Sequence, residues 1–373
     1  MKKNILFAIC IVIGAKVTIA CNPTPTRVKG THAPGQFCSG DLIFEDNFDT
    51  FDLNKWQHAV TMAGGGNYEF QWVVNDRNNT YASNGILHIR PTLTSDLFGE
   101  QFVTSGTVEI PEWECTDASN WGCKKTGSPS NPIPPIRSGR INTYNSFGFK
   151  YGTVEIRAKG PTGDWIGAAL WLLPIESIYG GWPASGEIDM VEMKGNTDYW
   201  DPGRNNLQVG AQHIGSTLNY GPRWDVNGWS STTASRNRRP GFNEDFHVYK
   251  MVWTTESLQF FVDGERLLSV TPGSGGFWER GGFGWTGLPN PWVNGTKMAP
   301  FDNEFGIILS HGVGGTSVFS DNYVNGNGAK PWVNNNGRAM ADFWIGRSQW
   351  KSQWELHTDQ SHFQIDYVRV WAL

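Results

Sequence analysis

The chain contains 373 residues, of which 39% are hydrophobic and 17% are charged, and it includes 19 Trp. This hydrophobic fraction is too high, and the charge too low, for general disorder, so the composition predicts a folded globular protein. The formal net charge is −5 and the sequence has no Lys/Arg-rich run, which argues against a nucleic-acid partner, because such partners normally require a basic patch.

Residues 1–20 are predicted to be a secretory signal peptide. Two lysines precede an apolar run at residues 5–13, and residues 18–20 provide a small-residue cleavage site before Cys21. The apolar run is too short to span a bilayer. The alternative is a bacterial lipoprotein signal with Cys21 as the lipidated residue, although a Thr three positions before the Cys is unusual there. We therefore expect a secreted protein without a membrane partner.

Cysteine usage agrees with export. After residue 20 the cysteines form two close pairs: Cys21, Cys38, Cys115 and Cys123. Of the three possible connectivities, the economical one joins the first to the second and the third to the fourth. Neither spacing is typical of zinc ligands or of the C-x-x-C redox motif. N-glycosylation sequons begin at Asn78 and Asn294 and are compatible with a secreted surface.

The predicted elements after the leader are strands. Residues 21–40 are rich in Pro, Gly and Thr and are expected to form an extended leader held by the first disulfide. Beyond them, short segments rich in β-branched and aromatic residues recur between Gly, Asn, Asp and Pro. In chain order the clearest are residues 86–89, 151–158, 246–253, 258–262 and 363–371. Such alternation predicts strands of a sandwich or barrel, and residues 21–373 are expected to form one domain.

The most informative segment contains three acids within a strand-like run: Glu187, Asp189 and Glu192. Burial of ionised carboxylates is strongly unfavourable, so the acids must face water or a cleft. In a regular strand Glu187 and Asp189 share one face and Glu192 points to the other. One extra residue, accommodated as a β-bulge between Asp189 and Glu192, would return Glu192 to the shared face.

Three carboxylates in one cleft suit glycoside hydrolysis. A retaining glycosidase uses an ionised carboxylate as nucleophile and a protonated carboxylic acid to assist the leaving group. A third acid between them can keep the proton donor protonated near neutral pH. The alternative is a solvated edge strand that carries three ordinary surface acids.

The segment from Trp182 to Glu192, WPASGEIDMVE, resembles the active-site signature of glycoside hydrolase family 16, in the bulged form typical of laminarinases. The resemblance covers nearly all of residues 28–373. The chain is similar to the invertebrate branch of β-1,3-glucanases and β-glucan-recognition proteins in four further segments: residues 30–34, 37–44, 87–92 and 366–373.

This resemblance implies an all-β fold, a β-jelly-roll sandwich of two antiparallel sheets with a concave substrate cleft. It implies a secreted, monomeric endo-β-1,3-glucanase that retains configuration, with Glu187 as nucleophile, Glu192 as general acid/base and Asp189 tuning their protonation. Two alternatives stay open. One is a non-catalytic protein that binds β-1,3-glucan, and the other is a related hydrolase of mixed-linkage glucan or another β-linked polysaccharide.

The resemblance also implies a set of substrate-binding residues: Asn67, Glu69, Arg140, Trp165, Trp171, Trp182 and His213. Trp rings pack on the apolar faces of sugars and keep an N–H to donate. For Trp171 core packing is an equal alternative, and for His213 the alternative is a structural hydrogen bond. Trp253 and Trp371 lie in predicted strands and are expected in the core or on the sheet surface.

No cofactor is expected to be required. Some family members hold a calcium ion on the convex side, and Asp366 is the matching candidate for a structural calcium ligand. An outward-facing strand acid is the alternative.

The sequence departs from the family pattern at two places. Gly167-Ala168-Ala169 stands where the family usually has Trp-Pro-Ala, and Ser310-His311-Gly312 stands where it often has Asn-Leu-Ala or Asn-Val-Ala. Loss of a large ring at Gly167 motivates the hypothesis of a widened cleft that accepts a branched or altered glucan.

Overall fold

A computed structural model describes residues 21–373, so the predicted signal peptide lies outside the described residues. Within this range, the first strands are β1 (Arg27–Lys29), β2 (Leu42–Asp46), β3 (Gln57–His58), β4 (Gln71–Val73), β5 (Thr80–Ser83), β6 (Ile86–Ile89), β7 (Thr92–Leu93), β8 (Thr107–Glu109), β9 (Lys124–Thr126), β10 (Ile136–Ser138), β11 (Arg140–Asn142) and β12 (Gly148–Lys150). They are followed by β13 (Gly152–Lys159), β14 (Ile166–Pro174), β15 (Glu187–Lys194), β16 (Tyr199–Asp201), β17 (Leu207–Gln208), β18 (His213–Asn219), β19 (Thr233–Asn237), β20 (His247–Trp253), β21 (Leu258–Val262), β22 (Glu265–Val270), β23 (Phe305–Val313), β24 (Val324–Asn325) and β25 (Phe363–Trp371).

Helices are short. The α-helices are α1 (Thr94–Phe98), α2 (Glu100–Ser105), α3 (Gly276–Arg280) and α4 (Ala339–Ile345). Turns of 3₁₀-helix cover Gly65–Asn67, Ser119–Trp121, Pro202–Arg204, Trp229–Ser231, Phe283–Thr286, Gly346–Ser348 and Lys351–Trp354. None of the helices between residues 21 and 373 has the length and apolar character needed to cross a membrane.

Two antiparallel sheets form the sandwich. The nine-stranded sheet has the order β1-β12-β23-β14-β15-β18-β19, with β11 paired to both β23 and β3. The eight-stranded sheet has the order β22-β21-β20-β13-β25-β6-β5, with β2 beside β25. Both sheets combine consecutive strands with strands from distant parts of the chain, such as the pairs β14–β23 and β13–β25, so each depends on long-range pairing. The predicted all-β sandwich is confirmed.

The core lies between the two sheets and follows from alternation along the strands. In β13 and β14 every second residue is buried over most of the strand, as expected where one face of a strand packs on a core. Val154 and Ile156 of one sheet and Leu170 and Leu172 of the other are 0% exposed and belong to the same cluster. Burial of each such side chain contributes about 1.5–3 kcal/mol. The other face of the nine-stranded sheet, called the cleft face here, carries the half-buried residues of β14.

A second aromatic cluster packs beside this core and contains Trp165. The Trp165 side chain is 1% exposed, and its ring meets those of Tyr199, Phe319 and Trp332 edge-on at centroid distances of 5.8, 5.4 and 5.2 Å. The prediction that Trp165 stacks on a sugar is therefore wrong, because neighbouring aromatic rings surround it. Trp253 is likewise a core residue, whereas Trp371 is half-buried.

Both predicted disulfides are confirmed. Cys21 pairs with Cys38 and Cys115 pairs with Cys123, with Cα separations of 5.2 and 5.7 Å. The leader is held further by β1, which pairs with β12 at the edge of the nine-stranded sheet. The cross-links therefore fasten the start of the described chain and one surface loop.

Substitution of Trp165 by Ala is expected to lower the free energy of unfolding by about 3–5 kcal/mol, the usual cost of deleting a buried aromatic side chain. Trp121 is 70% exposed, so Trp121→Ala is a matched control that should change stability by less than about 0.5 kcal/mol. Urea unfolding of the two variants measures the difference. Equal stabilities would contradict the core position of Trp165.

Candidate active site

A β-bulge in β15 brings the three acids to the cleft face. Along β14, Val191 is paired with Leu170 and Asp189 with Trp171, so Met190 is the extra residue. The register with β18 shifts at the same place, between Asp189 and Glu192. Met190 and Val191 are both buried in the core, with exposures of 2% and 1%. The predicted bulge is confirmed, and Glu192 returns to the face occupied by Asp189.

The three carboxylates differ in exposure. Glu187 is half-buried at the start of β15, Asp189 is buried, and Glu192 is exposed to the cleft. Residues of the adjoining strands surround them, with Trp171 of β14 opposite Asp189 and Asn219 of β18 opposite Glu187.

Glu187 is held by groups that favour its ionised form. The Nε1–H of Trp182 donates to Glu187 Oε2. Burial raises the pKa of Glu187 to about 7, and the charge of Glu192 also raises it, while the Trp182 hydrogen bond, Arg140 and a hydrogen bond from Asp189 act in the opposite direction. The Glu187 carboxyl group therefore ionises near neutral pH, and these hydrogen bonds keep its pKa from rising further.

The surroundings of Asp189 favour its neutral carboxyl form. Burial raises its pKa well above the ordinary value, and the negative charges of Glu187 and Glu192 raise it further. Asn219 Nδ2 donates to Asp189 Oδ2 at 2.8 Å, which fixes the orientation of the carboxyl group. A protonated Asp189 can therefore donate a hydrogen bond to Glu187.

Glu192 has a different environment from Glu187. Although the side chain is exposed to the cleft, desolvation by the surrounding protein raises its pKa, and the charge of Lys194, two residues along the same strand, opposes the rise. In the described part of the chain, no side chain donates a hydrogen bond to the Glu192 carboxylate, whereas Trp182 donates to Glu187. The Trp182 hydrogen bond therefore stabilises negative charge on Glu187.

Polar groups form the wall beside Glu192. Gln71 Nε2 donates to Glu69 Oε2 at 2.5 Å, and burial raises the pKa of Glu69. A Cβ atom at Gly312 would lie only 2.7 Å from Glu69 Oε1. Gly312, the last residue of the Ser310-His311-Gly312 departure from the family pattern, therefore makes room for the Glu69 carboxylate.

Trp171 does lie on the cleft face, but its ring already has protein partners. The Arg140 guanidinium lies 4.4 Å from the ring centroid, and Trp171 Nε1 donates to Ser310 Oγ at 3.1 Å. One ring face is thus covered by Arg140. Trp182, with half of its surface exposed, is more accessible to a sugar.

The remaining predicted contact residues lie on two sides of the acids. His213 begins β18 and its Nδ1 is 2.8 Å from Asn237 Oδ1, while burial lowers its pKa. This contact is the structural hydrogen bond that was the alternative to a sugar contact for His213. Asn67 is exposed, and its backbone carbonyl accepts from Thr316 N.

Gly167 is required by close packing of strands. A Cβ atom there would meet the backbone oxygen of Met193 at 2.8 Å, a contact that only a backbone shift can relieve. A Trp at this position would therefore displace β15. His311, from the second departure, is 1% exposed and points away from the cleft, with Nδ1 3.1 Å from Ser138 Oγ.

Asp366 does not fit a calcium ligand in this structure. Its Oδ2 accepts from Arg157 Nη1 at 2.5 Å, and the guanidinium charge opposes a cation at the same oxygen. The geometry matches an outward strand acid in an ion pair.

Two residues next to the acids were missed by the sequence reasoning. Lys194 could have been found, because strand alternation places it on the same face as Glu192. Asn219 could not, because it reaches Asp189 only through the pairing of β15 with β18.

Comparison with known proteins identifies the family of this chain. Residues 133–275 match the family model for glycosyl hydrolases family 16, and the chain belongs to this family. It lies in the branch of invertebrate β-glucan recognition proteins. The "Beta-1,3-glucan-binding protein" of Penaeus monodon is 43% identical over 344 residues, which cover 89% of this chain and 90% of that relative.

A catalytic relative and a solved structure extend the comparison. The "Glucan endo-1,3-beta-glucosidase A1" of Niallia circulans is 30% identical over 77% of this chain but only 36% of its own length. The laminarinase structure from Rhodothermus marinus has a TM-score of 0.55 and 22% identity, and the alignment covers 90% of this chain and 98% of that one. At this identity the structural likeness supports the fold alone.

Replacing Glu192 by Gln should lower the pKa of Glu187 below about 7, because the Glu192 charge is one of the causes that raise it. Carbon-13 NMR titration of the labelled glutamate carboxyls in wild type and variant measures the change. Glu112 is exposed on a surface loop, so Glu112→Gln is a matched control with no expected effect. An unchanged or higher Glu187 pKa in Glu192→Gln would show that the two carboxylates do not interact.

Proposed function

We propose that this protein is a secreted endo-β-1,3-glucanase that hydrolyses laminarin-type glucan with retention of configuration. The observation that carries the proposal is the bulge at Met190, which places Glu187, Asp189 and Glu192 on one face of the sheet. The donors concentrated on Glu187 support it as nucleophile. Among the described residues no side chain donates a hydrogen bond to Glu192, which is consistent with a carboxyl group that carries a proton to the leaving group.

In the first step, Glu187 attacks the anomeric carbon while Glu192 gives its proton to the departing glycosidic oxygen. The bond between that carbon and oxygen breaks, and a covalent glycosyl-enzyme ester forms. In the second step, Glu192 removes a proton from water, which attacks the same carbon and releases Glu187. Trp182 and Asp189 donate to Glu187 and hold its attacking geometry.

The choice of β-1,3-glucan is supported by the relatives. Proteins named for β-1,3-glucan binding from Penaeus monodon and Galleria mellonella are 43% and 34% identical to this chain, and the Niallia circulans relative is named as an endo-1,3-β-glucosidase. Two disulfides in the described residues support export, because disulfides persist in oxidising compartments.

Non-catalytic binding of β-1,3-glucan is the second candidate. It is favoured by the names of relatives that align with this chain over most of their own length. The alignment with the "Beta-1,3-glucan-binding protein" of Penaeus monodon covers 90% of that relative. A protein that only binds glucan has no need for the Trp182 hydrogen bond to Glu187 or for a neutral Asp189. A measurement of glucan hydrolysis distinguishes the two functions.

Glu187→Gln should reduce reducing-sugar release from linear β-1,3-glucan by at least about a thousandfold while glucan binding persists, because the amide cannot form the ester. Glu112→Gln should retain full activity. A panel that also contains β-1,4- and mixed-linkage glucans identifies the substrate. Binding without turnover by the wild type would establish the recognition function, and undiminished hydrolysis by Glu187→Gln would exclude Glu187 as nucleophile.

Trp182→Phe should move the acidic limb of the kcat/KM profile to higher pH. The Trp182 hydrogen bond lowers the pKa of Glu187, so its loss raises that pKa, and a higher pH is then needed to ionise the nucleophile. Phe keeps an aromatic face, which separates this effect from sugar stacking. An acidic limb at the wild-type position would contradict the assigned hydrogen bond.

A further inference from the structure

Two buried histidines and an aspartate meet on the sheet opposite the cleft. His88 lies in β6 between Leu87 and Ile89, which point into the core, so the His88 side chain lies on the outer face of the eight-stranded sheet. His362 immediately precedes β25, the strand paired with β6. Asp359 lies on the loop before it. His88 belongs to the segment at residues 87–92 that the proposed catalytic function does not use.

The ligand atoms of these residues converge. His88 Nδ1 lies 3.2 Å from His362 Nδ1, and His362 Nδ1 lies 3.3 Å from Asp359 Oδ1. All three atoms lie within 4.8 Å of one another. The histidines are 5% and 1% exposed, whereas the Asp359 side chain is 63% exposed and free to adjust.

Both short contacts converge on one atom, His362 Nδ1, which lies between His88 Nδ1 and Asp359 Oδ1. A single N–H at that atom can donate to both neighbours only as a shared, three-centre hydrogen bond.

A metal ion would instead accept a lone pair from each of the three residues, whose ligand atoms converge. Zinc binds imidazole nitrogen at about 2.0–2.1 Å and carboxylate oxygen at about 2.0–2.2 Å in a tetrahedral arrangement, which places neighbouring ligand atoms about 3.3–3.5 Å apart. The observed separations of 3.2 and 3.3 Å match two edges of that tetrahedron. The third separation, between His88 and Asp359, can shorten to the same length by rotation of the exposed Asp359 side chain.

We propose that His88, His362 and Asp359 form a zinc site, with solvent as the fourth ligand. Two imidazoles and one carboxylate suit Zn²⁺ better than Ca²⁺ or Mg²⁺, which prefer oxygen ligands. The positive charge of Arg90 opposes the ion, so we expect micromolar rather than tighter affinity. The site is separate from the three catalytic acids.

The role of this zinc would be structural. It would fasten the loop that contains Asp359 and His362 to β6. The same loop already contacts the nine-stranded sheet through His311 Nε2, which lies 3.0 Å from the backbone oxygen of Ser361. The ion would therefore complete a connection between the two sheets at this edge.

The test uses full-length mature protein without a polyhistidine tag, treated with chelator, dialysed and titrated with zinc chloride. We expect one equivalent of zinc by elemental analysis and a rise in Tm of at least about 2 °C at saturation. Calcium chloride at the same concentration should give no such rise.

Three variants make the test specific. Asp359→Ala should abolish the zinc-dependent rise and still fold, because this side chain is exposed. His88→Gln should also abolish it. His357 is an exposed histidine on the same loop, so His357→Ala is the matched control and should keep the full response. The proposal is overturned if chelated wild type takes up no zinc, or if Asp359→Ala binds and responds like wild type.

Discussion

One extra residue in β15 determines where the chemistry of this protein can occur. Met190 shifts the register against both neighbouring strands, so that Met190 and Val191 enter the core and Glu192 faces the cleft. Without the bulge, alternation would direct the Glu192 carboxylate into a core where an ionised group is strongly unfavourable. The same bulge therefore preserves the apolar core and assembles the acids.

Strand pairing then gives each acid its own environment. The loop before β15 supplies the Trp182 donor to Glu187, and β18 supplies Asn219 to Asp189. Glu192 stands next to Lys194 and receives no side-chain hydrogen bond from residues 21–373. The two glutamates of this strand thus have different hydrogen-bond partners, as acid/base and nucleophilic roles in one cleft require.

Much of this arrangement could be predicted from sequence because it depends on local pattern. Spacing of the acids predicted the bulge, and close cysteine pairs predicted both disulfides. Trp165 was misassigned because its ring neighbours, Tyr199, Phe319 and Trp332, come from distant segments. The need for glycine at position 167 could not be predicted either, because only strand pairing brings the backbone oxygen of Met193 against it.

If Glu187 and Glu192 hydrolyse β-1,3-glucan through a covalent glycosyl-enzyme, the product must keep the β configuration of the substrate. Proton NMR of the anomeric hydrogen during the first minutes of hydrolysis of a β-1,3-gluco-oligosaccharide measures this. We expect the β-anomer to appear first and the α-anomer to follow only by mutarotation. Initial release of the α-anomer would contradict the nucleophilic role of Glu187, and absence of any product would contradict catalysis.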